Sequence, residues 1–169
     1  MDKKNVRKSA LKDRLNNYDI NKSRIIVDEI IKSNILDKYN HIAIYYPIGT
    51  EINIIDLVKY YSNKKFYLPI TKDEINFVYY DTNTQLIDGP FNTKEPIGDI
   101  VNRDLIECFV IPCVAINKDN KRIGDGKGYY DRYLNGYKGY KIGVCYKEYG
   151  NVDLKLENHD VILDYKFLG

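Results

Sequence analysis

Along the first third of the chain, apolar residues recur at helical intervals. Val6, Ala10, Leu11, Leu15 and Tyr18 stand among polar neighbours from residue 3 to 18, a spacing that predicts an amphipathic helix. A second stripe follows Asn21: Ile25, Ile26, Ile30, Ile31, Ile35 and Leu36, wide enough to face a core. The pattern then changes. His41 to Tyr46 (H-I-A-I-Y-Y) reads as a strand closed by Pro47 and Gly49, and Ile52 to Tyr61 as a helix. Lys65 to Leu68 reads as a strand ending at Pro69, and Ile75 to Tyr80 as another. Asp88 to Gly98, which contains Pro90 and Pro96, reads as loop.

Cys108 to Ile116 is almost continuously apolar, as a strand buried on both faces should be. A polar turn follows from Asn117 to Lys121, then a glycine-rich segment, and Tyr130 to Leu134 reads as the first turns of a helix. Tyr140 to Tyr146 (Y-K-I-G-V-C-Y) is the next buried strand. Strands alternating with helices predict a mostly parallel sheet covered on both faces. The expected fold is one three-layer α/β/α domain over residues 1–169, with no repeat, low-complexity tract or linker.

Composition narrows the function classes. A chain of 169 residues buries roughly 70% of its unfolded surface and needs no disulfide or metal to fold. Lys and Arg number 26 against 24 Asp and Glu, a balance that excludes a general nucleic-acid binder. No apolar run approaches the length of a membrane span, and residues 1–24 are charged throughout, unlike a signal peptide. The three cysteines, Cys108, Cys113 and Cys145, are odd in number and form no C-x-x-C pair. Reduced thiols in a cytoplasmic protein are expected, with Cys108 and Cys113 as small buried hydrophobes. Two histidines do not make a zinc site, and no G-x-S-x-G or Cys/His pattern suggests a covalent nucleophile.

Chemistry concentrates in R-I-G-D-G-K-G-Y-Y-D, Arg122 to Asp131. Alternating Gly124, Gly126 and Gly128 let the backbone lie against a ligand without Cβ atoms in the way. Free amide groups leading into a helix can cradle phosphate oxygens. Arg122 and Lys127 add positive charge, and Asp131 adds a hard oxygen of the kind Mg²⁺ prefers. The spacing is neither a Walker A loop, where Ser or Thr would replace Gly128, nor a Rossmann fingerprint, where glycine would replace Tyr129. A bare G-x-G-x-G reads equally well as a surface turn. Arg122 before it and Tyr129-Tyr130-Asp131 after it favour binding of Mg²⁺-ATP.

The segment Pro112 to Leu134 (P-C-V-A-I-N-K-D-N-K-R-I-G-D-G-K-G-Y-Y-D-R-Y-L) closely resembles the signature of the 5-formyltetrahydrofolate cyclo-ligase family, also called 5,10-methenyltetrahydrofolate synthetases. Four further pieces fall in that family's order. They are Lys3-x-x-x-Arg7, Y-Y-P-I-G-T-E-I from Tyr45 to Ile52, G-P-F-N-T-K-E-P from Gly89 to Pro96, and E-N-H-D from Glu157 to Asp160. The resemblance implies a fold related to sugar-phosphate isomerases and CoA-transferases. It also implies an ATP- and Mg²⁺-dependent cyclisation of 5-formyltetrahydrofolate to 5,10-methenyltetrahydrofolate, with ADP and phosphate released. The implied partners are ATP and the folate, with no nucleic acid or membrane, the chain acting as a monomer.

By the same resemblance, Lys3, Arg7, Arg122, Gly124, Asp125, Gly126, Lys127, Gly128, Tyr129 and Tyr130 are expected around ATP. Arg122, Lys127 and Tyr129 take the catalytic contacts. Tyr46 and Glu51 face the folate with Lys127 and Tyr129, and Asp131 and Asp160 hold the metal. Each has a plainer counterpart in the sequence. Lys3 and Arg7, one helical turn apart, read as a solvated basic face; Glu51 reads as a cap for a helix starting near Ile52; Asp160 reads as a turn residue. Asp125, Tyr149 and Lys155 depart from the family pattern, where an aromatic or basic residue, Gln and Pro are common. Two other functions fit the same pocket: a regulator that binds nucleotide or folate without turnover, and a diverged ATP-using enzyme of the same fold.

Overall fold

The computed structural model describes residues 2–169. In chain order the elements are α1 (Lys3–Asn17), α2 (Asn21–Ser33), β1 (His41–Ala43), α3 (Leu57–Tyr60), β2 (Lys65–Thr71), β3 (Ile75–Tyr80), β4 (Leu86–Asp88) and β5 (Lys94–Pro96). Then come β6 (Cys108–Pro112), β7 (Ala115–Ile116), β8 (Arg122–Ile123), α4 (Tyr129–Tyr133), β9 (Tyr140–Cys145) and β10 (Tyr165–Leu168). Six strands form one sheet in the order β10-β9-β6-β1-β2-β3, parallel throughout except for the antiparallel edge strand β3. The fold is α/β with a mostly parallel central sheet, as the alternation of periods predicts.

The strand period of two sorts the core into two faces. Ile42, Phe66, Cys108, Val110 and Ile142 point one way, onto Ile26 and Ile30 of α2 and Leu57 and Val58 of α3. Their neighbours Ala43, Tyr67, Phe109 and Ile111 point the other way, onto Tyr130 and Leu134 at α4. Helices therefore cover both faces. At α1, the Asp2 side chain accepts the Asn5 N–H at 2.8 Å and caps the first turn. The helix buries Val6, Ala10 and Arg14, a stripe at intervals of four residues.

Several expectations change in detail. Pro69 does not end β2. Strand β1 covers β2 only from Lys65 to Tyr67, so beyond that point β2 is an edge on this side and the missing N–H costs no ladder bond. The helix expected over 52–61 shrinks to α3, and the strand expected over 41–46 to β1. The loop expected over 88–98 contains β5, which pairs with β4 in a short hairpin. The apolar run 108–116 breaks at Cys113, whose N–H still bonds Val144 O, while the Val114 N–H has already turned to Ile123 O. Residues 165–168 form a parallel edge strand that no periodicity marked. Cys108, Cys113 and Cys145 are free and buried, as expected, and burial pushes the Cys113 thiol up to about 11.

This topology fixes where a ligand fits. From β1 the chain moves outward to β2 and β3, whereas β6 lies on the other side of β1 and leads outward to β9 and β10. Connections diverge between β1 and β6, and the opening lies at the carboxyl ends of those strands.

Candidate active site

A cavity of about 310 Å³ opens there, with Tyr45 and Tyr46 following β1, Thr71 ending β2 and Pro112 ending β6 in its wall. The glycine segment closes one side. Gly126 (φ 106°) and Gly128 (φ 72°) adopt the left-handed conformation that glycine takes at little cost, whereas Gly124 does not. What Gly124 supplies is space, because a Cβ there would sit 2.6 Å from an Arg122 guanidinium nitrogen. Arg122 is buried under the loop, its Nε donating to Pro112 O at 2.9 Å and its guanidinium 4.8 Å from the Tyr130 ring centre.

The N-terminal helix completes this side. Arg7 Nε donates to Gly124 O at 2.8 Å, a contact spanning 117 residues, and Lys3 Nζ pairs with Asp160 Oδ1 at 2.7 Å. The basic pair is therefore turned inward onto the cavity and is not a solvated face. Lys127 stands at the mouth, 3.3 Å from Asp125 Oδ2 and 4.4 Å above the Phe91 ring. Asp125 Oδ1 also accepts the Lys127 N–H, so this residue folds the loop as well as holding the ammonium. Tyr129 donates its hydroxyl to Lys72 O at 3.1 Å, tying α4 to the β2–β3 turn. Among the described residues six cationic side chains, those of Lys3, Arg7, Lys94, Arg122, Lys127 and Arg132, line the cavity.

The rest of the cavity wall includes acidic and apolar side chains. Glu51 is not a helix cap. Its Oε1 accepts the Ile48 N–H at 2.8 Å and closes a turn whose other bond runs from Glu51 N–H to Ile48 O. Burial raises its carboxyl to about 7, against the lowering influence of the Ile48 N–H, Arg14 and Arg122. Tyr46 lines the same cavity. Two residues that carry no expectation join it. Glu95 is buried and accepts both the Thr71 N–H (2.8 Å) and the Thr71 hydroxyl (3.0 Å). Phe91 adopts the left-handed conformation at φ 60° on the exposed rim. Both lie in the G-P-F-N-T-K-E-P segment, so the motif held the signal but its spacing did not say which side chains turn inward.

The two expected metal carboxylates differ in position. Asp131 lies on the cavity wall, with Oδ1 accepting the Val161 N–H at 3.1 Å. Asp160 does not line the cavity, and both of its oxygens are taken, by Lys3 and by the Glu157 N–H at 2.9 Å. Among the described residues no cluster of three His, Cys, Asp or Glu forms a metal cage. Mg²⁺ needs none when substrate phosphates supply most of its ligands, and a single wall carboxylate such as Asp131 fits that role. Of the family departures, Tyr149 has a visible purpose, donating its hydroxyl to Asp13 Oδ2 at 2.6 Å and fastening α1 to the body.

Residues 2–166 match the 5-formyltetrahydrofolate cyclo-ligase family. The chain is 35% identical to the 5-formyltetrahydrofolate cyclo-ligase of Mycoplasma pneumoniae, covering 97% of this chain and 96% of that one. It is 33% identical to the Mycoplasma genitalium cyclo-ligase over 86% of each. Among solved structures it is similar to the Aquifex aeolicus 5,10-methenyltetrahydrofolate synthetase, with a TM-score of 0.85 and 29% identity over 98% of this chain and 89% of that one. No helix among the described residues is long and apolar enough to cross a membrane. The chain belongs to the 5-formyltetrahydrofolate cyclo-ligase family.

Proposed function

From that membership we propose that the chain closes 5-formyltetrahydrofolate to 5,10-methenyltetrahydrofolate, consuming one ATP and releasing ADP and phosphate. The observation that carries the reading is one cavity lined both by the glycine loop with its cations and by Tyr46 and the buried Glu51. The glycine loop with Lys3, Arg7, Arg122 and Lys127 suits a triphosphate, and Tyr46 and Glu51 in the same cavity suit a pterin. The formyl oxygen is a poor leaving group, and its attack on the γ-phosphorus, with ADP departing, converts it into a good one. Nitrogen 10 then adds to the activated carbon, loses its proton, and phosphate leaves as the ring closes.

The protein's part in this is positioning and charge. Arg7 holds the loop backbone through Gly124 O, so the amide groups of Gly126 to Gly128 are set before ATP arrives. Lys127 and Arg122 neutralise charge on the phosphoryl group as it moves, and Tyr129 and Tyr130 wall the cradle against water. Asp131 would hold Mg²⁺ on the phosphates, where the ion offsets their negative charge. The absorbance of methenyltetrahydrofolate should appear only with ATP and Mg²⁺ both present. Equal product without ATP, or in excess EDTA, overturns the reading.

Glu51 gives a second test. An ionised carboxylate accepts two hydrogen bonds from a pterin's ring N–H and amino group, and burial keeps Glu51 half-protonated near pH 7. Folate affinity should therefore increase as pH rises through about 7 and level off above it. In Glu51→Gln, folate binding should weaken and this pH step should vanish, with ATP binding unchanged, as calorimetry with each ligand separately would measure. A fall in ATP affinity instead would assign Glu51 to nucleotide binding.

A further inference from the structure

Arg14, late in α1, is a cation only 6% exposed. A guanidinium stays charged in a protein, and a buried charge without a counter-charge is strongly unfavourable. Its Nε donates to Thr50 Oγ1 at 3.1 Å, and its Cζ lies 5.7 Å from the Tyr146 ring centre. Among the described residues no carboxylate makes a direct ion pair with it. A second, small void of about 10 Å³ lies beside the main cavity, lined by Arg14, Tyr45, Glu51, Cys113 and Tyr146 among others. That volume is close to what one water molecule needs, and the walls are polar enough to hold it. Among the described residues Glu51 is the only carboxylate on that void.

The same group of residues fixes the turn that carries Glu51. Tyr146 donates its hydroxyl to Thr50 O at 2.7 Å, and Tyr45 donates its own to Ile52 O at 2.6 Å. Backbone on both sides of Glu51 is thereby pinned from beneath, and Arg14 holds the Thr50 side chain between the two. We propose that Arg14 is the positioning residue for Glu51: it anchors the turn through Thr50 and, through one bridging water in the void, supplies the counter-charge that keeps the carboxylate ready for a pterin. The second half of this statement rests on the pterin-facing reading of Glu51.

Other charged or titratable groups face Glu51 from each neighbouring element: Arg122 from β8, Asp125 from the glycine loop, Tyr45 after β1, Cys113 after β6, Tyr130 from α4 and Tyr146 after β9. Tyr45, Cys113, Tyr130 and Tyr146 are neutral, with burial pushing each further from ionisation. Asp125 opposes ionisation of Glu51. Arg122 favours it less than Arg14 does, and its guanidinium is already engaged by Pro112 O and the Tyr130 ring.

The test is the titration of Glu51 in the ligand-free protein, followed by carbon-13 NMR of glutamate carboxyls and assigned by the signal missing in Glu51→Gln. Arg14→Gln should raise that titration by about one unit or more, the scale for losing one nearby opposite charge, and Arg14→Lys should restore part of it. An unmoved titration in Arg14→Gln overturns the proposal. Should that variant not fold, Thr50→Val removes only the tether, and it must still shift the titration upward or the proposal fails. At pH 7 a one-unit rise takes Glu51 from about half to about one-tenth ionised, so Arg14→Gln should bind folate about fivefold more weakly and ATP as before. If the titration moves while folate affinity does not, the coupling stands and the pterin-facing reading of Glu51 is what fails.

Discussion

Lys127→Ala should lower kcat by about 10²-fold or more, the scale for removing one preorganised charge aimed at a transition state. The geometry separates this from a folding effect. Lys127 is exposed on the loop, and among the described residues its ammonium pairs with Asp125 and lies over the face of Phe91, neither of which belongs to a core cluster. Exposed ion pairs of this kind contribute about 0–1 kcal/mol, so thermal unfolding of the variant should stay close to wild type. The Arg132 bond that steadies the loop goes to the Lys127 backbone oxygen at 2.9 Å, and truncating the side chain leaves it in place. A group acting on charge that develops during phosphoryl transfer should reduce kcat more than it weakens ATP binding. Steady-state kinetics with ATP varied, set beside a melting curve, gives both numbers. Near-normal turnover would remove Lys127 from the chemistry.

Local features of this protein were legible in the sequence, and long-range ones were not. The helices α1 and α2, the apolar strands β6 and β9 and the glycine loop all arise from spacings of a few residues. The predicted stripes were too wide, however: Leu11, Leu15, Tyr18 and Ile25 are exposed, and Arg14 takes the third buried position of α1. β10 was silent because only Phe167 of its four residues is buried, too little pattern for a period to show. The β6–β7 break was hidden because both pieces stay buried while their hydrogen-bond partners change. At the site, the signature contained the loop residues, but charge alone could not show which way Lys3 and Arg7 turn. Their partners, Asp160 and Gly124, are 157 and 117 residues away. Arg14 and Glu95 passed as ordinary charged residues for the same reason. Only the fold sets one against Thr50 and the other against Thr71.

Asp131→Asn should raise the Mg²⁺ concentration needed for half-maximal activity by about tenfold or more, while the protein melts near the wild-type temperature. The metal contact proposed for this carboxylate and its structural bond can be separated by substitution. Asp131 does not cap its own helix, because the position before α4 is Gly128, with no side-chain bond to the first turn. Its structural bond instead accepts the Val161 N–H, joining α4 to the segment that carries Asp160. An asparagine carbonyl oxygen can accept that same bond, so the neutral isostere keeps the link and loses only the charge. Loss of a hydrogen-bonded or coordinating charge costs about 1.5–3 kcal/mol, and 1.4 kcal/mol is a factor of ten in affinity. If Asp131 holds the metal, excess Mg²⁺ should recover part of the lost activity in Asp131→Asn. Asp131→Ala breaks both the link and the charge, and should lower the melting temperature as well. A Mg²⁺ titration unchanged by either variant would leave Asp131 a purely structural tie.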